Sequence, residues 1–112
     1  MNIVTPAQVE QRLLALSREV DAAHDEVTEA EHNYYTAKGE YEIGVADTRM
    51  RQSDGTVQQK EDRALLLNRE SYMRLMIAEA VVRSSRANVN RLRTQVDLAR
   101  SIGTSVRTGM DT

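Results

Sequence analysis

Six arginines, Arg83, Arg86, Arg91, Arg93, Arg100 and Arg107, crowd the last third of this sequence, with a single acid, Asp97, among them. Four of them, Arg86, Arg93, Arg100 and Arg107, recur every seven residues. On a helix such a row keeps to one face and advances about 10 Å per repeat. A ladder of planar guanidinium forks at that interval suits the phosphates of a nucleic acid. The same charges have an internal use. If the chain folds back near Gly55, the stretch from Arg83 to Arg93 comes opposite Glu19, Asp21, Asp25 and Glu26, and ion pairs between helices would engage it. The residue types allow either use.

Other chemistry is sparse. There is no cysteine for a thiolate or a disulfide, and no glycine-rich phosphate loop or serine with a histidine partner. Glu29 and His32 have the Glu-x-x-His spacing of di-iron bundles, and Asp21 and His24 repeat it upstream. Both histidines fall outside the apolar seam described below, so they read as solvated side chains and no cofactor is expected. The sequence points to a protein that binds and assembles, not to an enzyme. Aromatic residues are four tyrosines, and of these only Tyr35 reads as exposed, too little for a base-stacking platform.

The elements that must carry the arginines are helices. The 112 residues hold one proline, no Phe and no Trp, and 29% of them are charged, a composition of long helices or coiled coils. Thr5-Pro6-Ala7-Gln8 combines an N-cap, a proline at the first helical position and a capping-box glutamine. Apolar or small residues then alternate at spacings of four and three. Leu13, Val20, Val27, Tyr34, Tyr41 and Thr48 take the a positions of a heptad, and Val9, Leu16, Ala23, Ala30, Ala37 and Gly44 the d positions. Gly39 and Gly44 each weaken a helix interior, so a kink or stop is possible near them.

Ser53-Asp54-Gly55 marks a turn, and Thr56-Val57-Gln58-Gln59 is a second capping box. The second helix is expected over 57–102, with Gly103 as its C-cap and 103–112 as a mobile tail. Val82, Ser85, Val89, Leu92, Val96 and Ala99 carry its seam. The expected fold is therefore all-α: one domain over 1–112, a long antiparallel helical hairpin of helix 6–52, turn 53–56 and helix 57–102. Around Leu65, Leu66, Tyr72, Met73, Leu75, Met76 and Ile77 the apolar residues exceed one stripe, which predicts a homo-oligomer assembled through that zone.

Charge is unevenly spread. Residues 1–52 carry ten acids against five bases, a balance of -5, and residues 53–112 carry ten bases against seven acids, a balance of +3. An acidic half and a basic half suit two different contacts. No run of residues has the length and apolarity of a membrane span, and no targeting segment is evident, so a cytoplasmic location is the expectation.

One family shares this order of features. Tyr41 on an Ala/Glu/Lys-rich helix, Asp54-Gly55, the charged start Lys60-Glu61-Asp62-Arg63, Tyr72, and Arg91-Leu92-Arg93 leading to Ala99-Arg100-Ser101-Ile102-Gly103 resemble the phage UvsY-type recombination mediators. The resemblance covers residues 30 to 110. It implies a self-assembling protein that binds single-stranded DNA and loads a RecA-like recombinase where single-strand-binding protein would block it. It casts Arg91, Arg93, Arg100 and Arg107 as DNA contacts, in the host cytoplasm if a phage encodes the chain. The competing reading is a structural or adaptor coiled coil, such as a phage assembly or host-interaction factor, with no nucleic-acid role. A helical-hairpin secretion substrate is a third possibility, although the turn lacks a Trp-x-Gly signature.

Overall fold

A computed structural model describes residues 4–110. The fold is all-α, with α1 at Pro6–Arg51, α2 at Val57–Leu67 and α3 at Arg69–Met110, and α1 packs antiparallel to α3. Both capping boxes form. Gln8 N–H donates to Thr5 Oγ1 at 3.2 Å while Thr5 N–H donates to Gln8 Oε1 at 2.9 Å, and Gln59 and Thr56 exchange the same pair at 3.1 and 3.0 Å. Gly55 turns the chain with φ +102°, a backbone region that a side chain disfavours. A Cβ there would also collide with the Arg63 guanidinium, which donates to the Asp54 carbonyl oxygen at 2.9 Å.

The chain divides into two compact units, one of residues 1–27 with 85–112 and the other of residues 28–84. In the first, Leu16, Ala23, Val89, Leu92 and Ala99 form the buried core, with Leu13, Val20, Val27 and Val96 packed against it. The d row lies deepest and the a row flanks it half-buried. In the second unit the buried positions are Ala30, Ala37, Val45, Ala64, Leu75 and Val82. Val45 takes the buried place expected of Gly44. It lies 36 residues after Val9, which is about ten turns of a straight helix, so a heptad row drifts off the core face over that length.

Three expectations need correction or completion. Helix α1 runs unbroken through Gly39 and Gly44. Gly44 serves contact, because a Cβ on it would collide with the Asn68 side chain. The second helix is interrupted at Asn68, which ends α2 with φ -108° and ψ 18°. The Asn68 Nδ2 donates to the Ala64 carbonyl at 2.7 Å and to Thr48 Oγ1 at 2.9 Å, and Thr48 Oγ1 donates to the Gly44 carbonyl at 2.8 Å. An asparagine whose amide competes for backbone groups breaks a helix in this way. The Asn68 carbonyl in turn accepts from Tyr72 N–H and Ser71 Oγ, which starts α3.

The third concerns Gly103, which is no C-cap. Helix α3 continues through it to Met110, so residues 103–110 are helical and not a mobile tail; residues 111–112 lie outside the described ones. Gly103 is buried against α1, with Val9 Cγ1 only 2.9 Å from where a Cβ would stand. The glycine permits close helix approach here, a second use of the residue that a cap assignment overlooks.

Candidate nucleic-acid interface

All six candidate arginines are exposed, but they do not form one surface. Arg83 pairs with Glu79 one turn back in its own helix, Nη1 to Oε1 3.1 Å. Arg91 donates to Asn88 Oδ1 at 2.8 Å and borders a polar hollow with Arg12, Glu19, Glu26 and Gln95. That hollow lies on one flank of the seam in the first unit. Arg93, Arg100 and Arg107 line the other flank. Arg86 precedes them by one heptad and is exposed.

The split follows from helix geometry. Taking Leu92 as the centre of the buried face, Arg93 and Arg100 fall on one side of it and Arg91 on the other, at about 100° per residue. Two hollows of about 420 and 430 Å³ adjoin at Leu13 and Arg100 to make a groove along the arginine-lined flank. Its floor is Leu13, Val20 and Val96, half-buried and aliphatic, with Val9 and Gly103 at one end. Helix α3 supplies Arg93, Arg100 and Arg107 to one rim. Helix α1 supplies Glu10, Ser17 and Asp21 to the other. Leu13, Val20 and Val96 are seam residues in the sequence pattern and Asp21 an expected ion-pair partner of α3, whereas Glu10 and Ser17 carry no site signal in the sequence beyond their heptad places flanking the arginine stripe.

The anticipated ion pairs between helices are not what engages this rim. Arg93 Nη2 lies 3.3 Å from His24 Nε2, and among the described residues no carboxylate pairs with Arg93, Arg100 or Arg107. His32 is exposed.

The zone expected to drive assembly is mixed. Leu65, Leu66, Tyr72, Met73 and Ile77 are 46, 66, 44, 56 and 61% exposed, and Met76 is half-buried. Leu75 is corrected: at 8% exposure it belongs to the core of its own unit. The reason is periodic, since Leu75, Val82 and Val89 recur every seven residues on the buried face. Tyr72 also packs its ring against Tyr41, centroids 5.5 Å apart. No helix among the described residues is long and apolar enough to cross a membrane. No protein family, curated protein or solved structure matches the chain.

Proposed function

We propose that this protein is a non-enzymatic mediator that binds single-stranded DNA through the C-terminal half of α3. The observation that carries the reading is the row Arg93, Arg100 and Arg107, exposed along one groove and unclaimed by any carboxylate of α1 among the described residues. Each guanidinium is always charged and can take a phosphate oxygen pair. With no aromatic side chain lining the groove, affinity comes mainly from charge neutralisation.

Following the resemblance stated above, the mediator loads a RecA-like recombinase in the presence of single-strand-binding protein, in the cytoplasm of the cell that harbours it. The acidic exposed residues of α1 are the natural contact for a protein partner. The exposed apolar side chains of α2 and early α3 hold copies together, so that several weak sites act on one strand.

Binding of a labelled single-stranded oligonucleotide across a salt series tests this. The log of the association constant should fall with log salt by about 0.7 per phosphate contact. Replacing Arg93, Arg100 and Arg107 together with alanine should flatten that slope and leave the helical circular-dichroism signal in place. Absence of binding even at low salt would favour the second reading, an adaptor coiled coil, which the exposed Leu65, Leu66 and Leu67 independently favour.

A further inference from the structure

The groove in the first unit has rims of opposite sign. Arg93, Arg100 and Arg107 stand on the α3 side, Glu10 and Asp21 on the α1 side, and Leu13, Val20 and Val96 lie between them. Resting on the single-strand reading above, we infer that this groove orients its strand, backbone on α3 and base edges toward the α1 carboxylates, and thereby prefers cytosine to uracil or thymine.

The backbone position follows from charge. Phosphates are drawn to the α3 guanidiniums and repelled by Glu10 and Asp21, so the reversed placement is disfavoured. A duplex suffers the same repulsion, because its second backbone would fall toward the acidic rim. The aliphatic floor accepts the flat faces of unpaired bases without offering them a hydrogen bond. What remains for the base edge is the α1 rim.

An ionised carboxylate only accepts hydrogen bonds. Cytosine presents an exocyclic N4 amino group that donates to Asp or Glu. Uracil and thymine instead carry a carbonyl oxygen at that position, and their lone N3–H lies between two carbonyl oxygens that a carboxylate meets unfavourably. Ser17, between the two acids on the same rim, both donates and accepts and so adds little discrimination. Asp97 lies on α3 between Arg93 and Arg100 and opposes phosphate binding without regard to the base.

The test uses short labelled oligo-dC and oligo-dU of equal length, at low salt and mildly alkaline pH, read by fluorescence anisotropy on the full chain. Oligo-dC should bind about three- to tenfold tighter, the size of one or two exposed charge-assisted hydrogen bonds. The double variant Glu10→Ala, Asp21→Ala should close that gap, with circular dichroism reporting that the helices persist. Asp97→Asn should tighten both oligonucleotides alike and keep the gap. Equal binding of the two by the unaltered protein, or a gap that survives the double variant, overturns the orientation. If Arg93→Ala, Arg100→Ala and Arg107→Ala still abolish binding in that case, the single-strand function stands without it. Failure of both oligonucleotides to bind at low salt overturns the orientation and the single-strand function together.

Discussion

The two units use their apolar residues in opposite ways. In the unit of residues 1–27 and 85–112, Leu16, Val89 and Leu92 are inside, and among its described residues four large hydrophobic side chains, Val4, Leu14, Leu98 and Ile102, are exposed. The unit of residues 28–84 is of similar length, yet it exposes eleven, from Tyr35, Ile43 and Met50 through Leu65, Leu66 and Leu67 to Val81. Three of its six buried hydrophobic residues are alanines. One unit folds around its aliphatic side chains and offers charge to solvent. The other has alanines at half of its buried positions, ties its helices with the Asn68 amide, and leaves most of its large side chains exposed. Under the proposed assembly these exposed side chains meet another copy.

The largest expected effect that distinguishes the two units is Leu16→Ala. Leu16 is 1% exposed, and truncation should cost about 3 kcal/mol in urea unfolding, against less than about 0.5 kcal/mol for Leu66→Ala in the second unit, at 66% exposure. Equal costs would show that the first unit has no deep core.

Assembly sharpens the comparison next. Met73→Glu with Ile77→Glu should lower the mass seen by light scattering toward the 12.6 kDa of one chain and preserve helicity. Leu75→Glu should lose helicity instead, because that residue is core. Should the unaltered protein already be monomeric at micromolar concentration, the partner-surface account of the second unit fails.

The smallest effects concern two glycines in α1 with opposite signs. Nothing lies within 4 Å of a Cβ built on Gly39, so Gly39→Ala should raise stability by about 0.5 to 1 kcal/mol through helix propensity alone. Gly44→Ala gains the same propensity but must displace Asn68 from its bonds to Thr48 and Ala64, for a net loss of about 1 kcal/mol. Thermal melts of the two variants moving in the same direction would mean that the Asn68 junction contributes nothing.

Much of this architecture is legible along the chain because helices advertise themselves locally. The Thr5 and Thr56 capping boxes, the turn at Gly55 and the seam from Leu13 to Val27 depend on residues within a few positions of one another. The local pattern misleads where one residue type has two uses. Gly103 resembles a cap, and only the approach of Val9 reveals it as a packing position. Asn68 sits in Leu65-Leu66-Leu67-Asn68, where the apolar run conceals a helix break. Leu75 stands among neighbours that are apolar all round, which hides that its seven-residue step to Val82 places it inside.

For the candidate site the sequence determined the arginine row itself: a period of seven keeps Arg86, Arg93, Arg100 and Arg107 on one helix face whatever packs beside them. It could not decide whether acids of α1 would meet that face. Such a meeting depends on the register of two antiparallel helices and on which flank of the seam each charge occupies, and register is set by side-chain packing between residues some eighty positions apart. Tertiary structure put Arg91 beside Glu19 and Glu26 on one flank, and on the other set Arg93, Arg100 and Arg107 across an aliphatic floor from Glu10 and Asp21. The hydrophobic core that Leu16 and Leu92 share thus fixes the position of charges it never touches, because a rigid helix carries each side chain to the angle its sequence number prescribes.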